Sequence, residues 1–318
     1  MQQKSKFSLK RAFAGNLGTA LGLIILVIVF TILSSSFLTN TNVSNILVQS
    51  GTNAIIAVGM TFVIISGNID ISVGSILALS SCVGAKLMVD TNNVLLGVLA
   101  SLLTGVILGL FNGSLVALLE FPPFIVTLSN MWLFRGIAYL YTGGQAVVGL
   151  PKNLTRVVLG SFLYIPNIVW LIIIVYIIAH IVLQKTTAGR KICAVGDNSE
   201  SARLSGINVK KVTLGAFVSS GFFAALSGLV YMGRLNSGQP IAGQSYEMYA
   251  IAAAVIGGAS LTEGGIGNML GTLIGAIFIS VLQNGLTILN VNTYWQQVCM
   301  GLVLLLAVGL DRFRKTVK

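Results

Sequence analysis

Ten apolar stretches, each separated from the next by a short polar break, constrain this chain more than any other feature. A helix needs about 20 apolar residues to cross the hydrocarbon core of a bilayer. The pattern therefore predicts an all-α, polytopic membrane protein with about ten transmembrane helices and two Gly-rich helix breaks. The predicted spans are 17–37, 46–66, 72–89, 94–119, 124–142, 166–184, 212–233, 247–261, 267–288 and 294–310.

The charges indicate which side of the membrane each break occupies. Only 8% of residues are charged, whereas soluble domains carry about 25%, so a soluble, nucleic-acid-binding fold is excluded despite the net charge of +11. Most Lys and Arg residues lie in three clusters, at 4–11, 185–211 and 312–318. The positive-inside rule places all three clusters in the cytoplasm, and ten crossings return the C-terminus to the side of the N-terminus.

We therefore predict a single transmembrane domain, 1–318, with both termini in the cytoplasm. Residues 1–15 form a cytoplasmic tail and residues 185–211 a cytoplasmic loop. Within that loop, Asp197 or Asn198 is expected to cap a short helix over 199–205, and Gly206 to end it. Such a helix would offer a binding surface to a soluble partner protein. The alternative is a plain solvated loop.

Two Gly-rich breaks, at 66–74 and 257–267, interrupt the apolar pattern, and each carries one carboxylate, Asp70 or Glu263. Irregular backbone at membrane depth persists only where protein or a water-filled cavity satisfies it. Paired interruptions in the two halves of a transporter point to the route of its substrate. The alternative is a pair of tight turns between short or re-entrant helices.

Polar residues inside the predicted spans and breaks are the candidates for a translocation pathway, since ionisable groups are costly there. Asp70 either lines the pathway or, like Ser72, caps the helix that starts near Val73. Arg135 is either an interior charge or one that snorkels to the interface. The amides either line a passage for a hydroxylated solute or bond helix to helix. The amides in spans are Asn53, Asn112, Asn130, Gln283 and Asn284, and the predicted pathway set is Asp70, Asn68, Asn112 and Asn284.

Small residues at every fourth position predict close helix packing, because residues four apart share one helix face. The three runs are Gly97, Ser101, Gly105, Gly109 and Gly113; Ser220, Ala224 and Gly228; and Gly267, Gly271 and Gly275.

Residues and motifs typical of enzyme active sites are scarce in this sequence. The chain has no GxxxxGK[ST] phosphate loop, a single histidine, His180, and no cluster with metal-ligand spacing. Its cysteines, Cys82, Cys193 and Cys299, do not suggest a disulfide framework. We expect no catalytic site, no metal and no cofactor.

Landmarks from about residue 46 to 310 resemble the permease subunit of ribose-type ABC importers, which carry monosaccharides into bacteria. They are AVGMT at 57–61, IDISVGS at 69–75, PFIVTL at 123–128 followed by RG at 135–136, TAGR at 187–190, RLSGI at 203–207, QP at 239–240 and GTLIGA at 271–276. Three positions depart from the family pattern: Asn68 stands where a second glycine is usual, Glu263 is an extra residue, and Ile266 replaces the usual polar or basic residue.

The resemblance implies a division of labour in the bacterial inner membrane. A second permease chain, expected to be a copy of this one, would complete the pathway, a cytoplasmic ABC ATPase would drive it, and an extracytoplasmic binding protein would deliver the sugar. Residues Ala194, Gly196, Asn198, Ala202 and Gly206 are expected to contact the ATPase, and Lys152, Arg156 and Arg234 to dock the binding protein. The rival hypotheses are an ion-coupled secondary transporter, a channel or scaffold, and an ABC permease for another solute such as a nucleoside.

Overall fold

The computed structural model describes the backbone of residues 3–316 and the side chains of residues 17–309. Within that range the regular secondary structure is helical, apart from a hairpin of two two-residue strands and one isolated β-bridge between Val147 and Gly238, as predicted for an all-α protein. In chain order the elements are α1 (Gln3–Leu33), α2 (Asn40–Ile65), α3 (Val73–Thr91), α4 (Val94–Ala117), α5 (Pro123–Thr142), α6 (Lys152–Leu159), β1 (Ser161–Phe162), β2 (Ile165–Pro166), α7 (Asn167–Lys185), α8 (Thr187–Asp197), α9 (Ser199–Leu204), α10 (Val209–Leu235), α11 (Tyr246–Ile256), α12 (Met269–Ile288) and α13 (Thr293–Thr316).

Every predicted span corresponds to a helix, but the helices are not equally suited to crossing a membrane. Six of those described are long and apolar enough to do so, namely α2, α3, α4, α7, α10 and α12. Shorter apolar segments lie in α1, α11 and α13. The polytopic architecture is confirmed, while the count of ten crossings stays a prediction.

The predicted tail over 1–15 has no boundary in the structure, because α1 already begins at Gln3. The side chains of the two terminal basic clusters lie outside the described residues. These are Lys4, Lys6, Lys10 and Arg11 in the first cluster and Arg312, Arg314, Lys315 and Lys318 in the second.

The predicted span 247–261 is shorter than the sequence suggested. Helix α11 has 11 residues, which is about 16 Å of helix against a hydrocarbon core of about 30 Å. The chain just before it is not helical: Gly238 packs against Ala85 of α3, and Gly243 packs against Gly74 in the first turn of α3. This non-helical stretch therefore descends along α3, and α11 covers only part of the crossing.

Two of the three predicted small-residue runs, those on α4 and α10, pack helix against helix, and the third does so only in part, because Gly267 lies before α12 begins at Met269. On α4, the five small residues are buried, while large side chains such as Leu99, Leu103 and Ile107 are exposed. Gly105 and Gly109 lie against the backbone of α10 at Gly221 and Phe217. The two helices approach this closely because neither backbone is covered by a side chain at the contact.

Helix α2 lies at the centre of the bundle. All its residues from Ser50 to Ile65 are buried, and it packs against α7, α10, α11 and α12. Its C-terminal end opens into the first Gly-rich break, so this break is anchored to the most buried element of the fold.

Candidate translocation and coupling sites

The predicted loop 185–211 is mostly helical: besides α9, which matches the short helix expected over 199–205, it contains α8, which the sequence did not indicate. Ala194 and Gly196 lie in α8, and a single residue, Asn198, separates α8 from α9. The Asn198 side-chain Oδ1 accepts a hydrogen bond of 2.8 Å from the Ser201 backbone N–H, so Asn198, and not Asp197, caps α9. Gly206 follows α9 with φ of +82°, a left-handed conformation that glycine adopts without strain. The predicted cap and stop are confirmed.

Helix α9 presents charged and apolar groups on its outer side. Leu204 is 76% exposed, and Glu200 forms an exposed ion pair with Arg203 at 2.6 Å. The hydrogen bond from Arg203 lowers the pKa of the Glu200 carboxyl and raises the pKa of Arg203. Ala202, in contrast, is only 4% exposed. The exposed side of α9 is a surface of mixed character, typical of a protein contact.

Helix α8 meets both Gly-rich breaks at one place, which we call the glycine junction and define as Ile65, Gly196, Gly264 and Gly265. A Cβ atom on Gly196 would overlap the Ile65 carbonyl oxygen, and one on Gly264 would overlap the Gly196 carbonyl oxygen. The Gly265 backbone N–H donates to the Ile65 carbonyl oxygen at 2.7 Å. Backbone therefore touches backbone, with no flexible side chain between α8 and either break.

Asp70 is fully buried and belongs to a chain of hydrogen bonds between helices. Its Oδ1 accepts from the Ser72 backbone N–H at 3.0 Å and from the Ser72 hydroxyl at 2.6 Å. Its Oδ2 accepts from the hydroxyl of Ser220, near the middle of α10, at 2.8 Å. Asn112 of α4 donates to the Ser72 oxygen and accepts from Asn130 of α5, each at 2.7 Å. Asp70 thus holds the start of α3, while the Ser72 side chain makes no cap bond to α3.

The other two predicted pathway residues are also bonded to protein. Asn284 of α12 and Asn42 of α2 exchange two hydrogen bonds of 2.9 Å. Asn68 is partly buried in the first break, where its amide donates to the carbonyl and hydroxyl oxygens of Ser66. The Ser72 hydroxyl thus links Asp70 to Asn112, whereas the side-chain hydrogen bonds of Asn68 and Asn284 go to Ser66 and Asn42.

Arg135 is an interior charge that satisfies irregular backbone. Its guanidinium donates to the carbonyl oxygens of Pro240 and Ala242, in the non-helical stretch that descends along α3. Backbone oxygens at membrane depth need such partners because lipid offers none. The sequence showed both the charge and the Gln239-Pro240 pair, but nothing in it indicated that they meet across 105 residues.

The three basic residues predicted to dock a binding protein lie near one another. Lys152 and Arg156 are exposed on α6, and Arg234 is in the last turn of α10. Helix α6 is held to this end of α10 by packing of Val158 on Gly233 and by a hydrogen bond of 2.9 Å between Thr155 and Asn236.

Comparison with known proteins is consistent with this architecture. Residues 42–308 match the family described as the branched-chain amino acid transport system / permease component. The chain is 44% identical to the ribose import permease protein RbsC of Bacillus subtilis (strain 168), over 93% of this chain and 92% of that protein. It is 41% identical to the D-allose transport system permease protein AlsC of Escherichia coli (strain K12), over 93% and 91% respectively.

No solved structure matches the chain. The family match covers most of the sequence, and the curated relatives are matched over nearly their whole length. On these grounds the chain belongs to the family of ABC permease components, as a transport subunit of the ribose-importer type.

Proposed function

We propose that this protein is the permease subunit of an ATP-driven importer for a monosaccharide in the bacterial cytoplasmic membrane. The relatives just named support this, and so do an L-arabinose permease and a xylose permease, each 36% identical. The observation that carries the mechanism is the glycine junction, where α8 lies in backbone contact with the last residue of α2, immediately before the first Gly-rich break, and with the second break itself.

The junction gives a direct route for force. Nucleotide binding would close two ATPase halves against the exposed side of α9, and α8 and α9 would move together. Gly196 touches Ile65 and Gly264 through backbone atoms. This movement therefore passes to the C-terminal end of α2 and to the second break, because no flexible side chain lies between them to absorb the displacement. The closely packed helices then tilt as rigid bodies, which is the usual behaviour of interdigitated elements.

The partners follow from this scheme. A soluble ABC ATPase contacts the exposed surface of α8 and α9, with Ala194, Asn198 and Gly206 in or beside the contact. Of the other residues predicted to contact it, Ala202 is 4% exposed and Gly196 lies in backbone contact with Ile65, so these two support the surface from within. A second copy of the permease completes the pathway. A binding protein docks at Lys152, Arg156 and Arg234, where rim charges steer association. Asp70, Asn68, Asn112 and Asn284 remain the proposed pathway set, and lining the pathway requires their present hydrogen bonds to open during the cycle.

Reconstitution tests this proposal. The permease is co-purified with its ATPase and binding protein, and uptake into liposomes is measured for D-ribose, D-allose, L-arabinose, D-xylose, nucleosides and L-leucine. We expect uptake of at least one monosaccharide that needs ATP and is blocked by vanadate. Uptake that resists vanadate and collapses with an uncoupler would instead identify an ion-coupled transporter, and uptake of nucleosides or L-leucine alone would reject the sugar.

A further inference from the structure

An uncharged hollow rich in glutamine opens between α2, α11, α12 and α13. It has a volume of about 220 Å³, well above the roughly 10–15 Å³ that one water molecule needs. Five of the chain's ten glutamines line it. We call it the glutamine hollow; its lining consists of Gln49, Gln244, Ser245, Tyr249, Gln283, Leu286, Thr287, Thr293, Gln296, Gln297 and Met300.

Several of its amides are available to a ligand. The Gln244 and Gln297 side chains make no hydrogen bond to any residue whose side chain the structure describes. Behind the wall, Gln283 Oε1 accepts from Asn53 Nδ2 at 3.2 Å. Asn53 is 1% exposed, and its Oδ1 has no hydrogen-bond partner among the described residues. This oxygen lies behind the wall and does not face the hollow, so the amides free to bond a ligand are those of Gln244 and Gln297.

The chemistry of the lining selects for a neutral, hydroxylated ligand. Amide groups both donate and accept, as a sugar hydroxyl does, while Tyr249, Leu286 and Met300 offer apolar surface to C–H groups. None of the lining residues is charged. An amino acid, which is a zwitterion, would enter the hollow with two unpaired charges at high cost.

The hollow is also mechanically linked to the glycine junction. Ser245 and Tyr249 lie at the start of α11, and the second break follows directly after its last residue, Ile256. Helix α11 has 11 residues, so it is a short rigid rod with the hollow at one end and the break at the other. Movement of the break displaces one wall of the hollow.

We propose that the glutamine hollow binds the transported monosaccharide within the permease, and that movement of α11 opens and closes it. This inference deepens the proposed function and rests on it. Its position beside the outer ends of α12 and α13 fits a site that receives the sugar before the route opens inward.

Uptake by variants of the complete transporter tests the assignment. The double variant Gln244→Leu, Gln297→Leu keeps side-chain size but removes two free amides, and we expect uptake per ATP hydrolysed to fall about tenfold. ATP hydrolysis stimulated by the binding protein should stay within about twofold of wild type. The matched control is Gln184→Leu, an exposed glutamine at the end of α7 away from the hollow, which should transport normally.

Thiol protection gives a second measurement that needs no change in activity. A single-cysteine Gln297→Cys protein, with Cys82, Cys193 and Cys299 replaced, is reassembled with its partners and labelled with a small maleimide. The sugar that wild type imports should slow labelling at least about threefold, and L-leucine should not; Gln184→Cys serves as the unprotected control.

The outcomes separate the two proposals. If wild type imports no monosaccharide, the proposed function fails and the assignment of a sugar to the hollow fails with it. If wild type imports a sugar but the double variant is normal and Gln297→Cys is unprotected, only the hollow is rejected. Protection by L-leucine alone would also overturn the assignment.

Discussion

Glycine at position 196 is the residue on which the proposed coupling depends most directly. In an exposed helix interior, replacing glycine by alanine usually stabilises by about 0.5–1 kcal/mol. Here the added Cβ would overlap the Ile65 carbonyl oxygen, and backbone cannot step aside as a side chain can. Overpacking of about 1–3 kcal/mol should therefore outweigh the gain in helix propensity.

We accordingly expect Gly196→Ala to lower the thermal unfolding midpoint in detergent and to reduce ATP-dependent uptake severalfold. The control is Gly215→Ala in α10, where a Cβ meets no atom within 4 Å. That variant should be unchanged or slightly stabilised. Equal behaviour of the two variants would mean that the contacts of Gly196 do not constrain α8.

Two substitutions of Asp70 distinguish a structural role of its carboxylate, holding helices together, from a role in ion coupling. Asp70→Asn retains one oxygen and nearly the same shape, so it can still accept from Ser72, and Ser220 can turn its hydroxyl to accept from the new amide. Asp70→Ala leaves the Ser72 and Ser220 donors unsatisfied, at about 1–3 kcal/mol for each buried group.

Uptake and protein yield should therefore remain near wild type in Asp70→Asn and fall sharply in Asp70→Ala. An ion-coupled transporter would instead lose uptake in Asp70→Asn as well, because the titrating group is gone. Full loss of sugar uptake in a well-folded Asp70→Asn protein would argue against the structural role.

Sequence patterns located some of these residues and not others, for a physical reason. The four-residue spacing of Gly105 and Gly109 is visible within one helix, so their packing was predictable. The partners of Gly196 come from positions 65 and 264–265, which no local pattern connects to it. The same is true of the Asn42 partner of Asn284, 242 positions away.

Helices α8 and α9 form the element that an ATPase would move. Gly206 lies just after the end of α9, where the chain turns towards α10. Proline fixes φ near −65°, which is incompatible with the φ of +82° at Gly206, and it cannot donate the bond that the Gly206 N–H makes to Arg203 at 3.0 Å. We expect Gly206→Pro to abolish transport while the permease still reaches the membrane, measured by uptake, by membrane yield and by co-purification of the ATPase.

Asparagine is the matched control at this position because it tolerates the left-handed conformation better than other non-glycine residues. Gly206→Asn should retain most of the uptake.

Ala202→Arg, which places a charge at a position that is 4% exposed, should behave like the proline variant. Normal uptake in both Gly206→Pro and Ala202→Arg would remove the coupling role from α9.

Local chemistry decided how well each element was predicted. The cap and stop of α9 depend on Asn198 and Gly206 themselves, so sequence was sufficient. The end of α11 is different, since apolar residues continue past Ile256 into the break. There the chain turns because Gly257 must lie against the backbone of α12 at Gly271, a contact that sequence does not reveal.

At each end of the helix bundle, the segments that contact one another were predicted to lie on the same side of the membrane. At one end, Glu120, after α4, forms an exposed ion pair of 2.8 Å with Lys210, which lowers the pKa of the Glu120 carboxyl. Both segments were predicted to be cytoplasmic. At the other end, Val147 and Gly238 exchange backbone hydrogen bonds of 2.7 and 2.9 Å, and both were predicted to lie outside. Charge distribution and the number of spans predicted this map of sides, whereas no sequence pattern predicted the descent of the chain before α11, which Arg135 stabilises through the Pro240 and Ala242 carbonyl oxygens.

Cysteine labelling tests the orientation of the whole molecule. With Cys82 and Cys299 replaced, Cys193 of α8 should react with a membrane-impermeant maleimide only after cells are permeabilised. Burial raises the pKa of the Cys193 thiol, so less thiolate is present near pH 7 than for a free cysteine; labelling should be slower there, and its rate should keep rising to a higher pH. A Gln145→Cys variant, exposed in the loop after α5, should label in intact cells and prove that the reagent reaches the outer face. Labelling of Cys193 in intact cells at the rate of Gln145→Cys would place α8 on the extracytoplasmic side of the membrane. A cytoplasmic ATPase could not bind α8 there, and the proposed mechanism would fail.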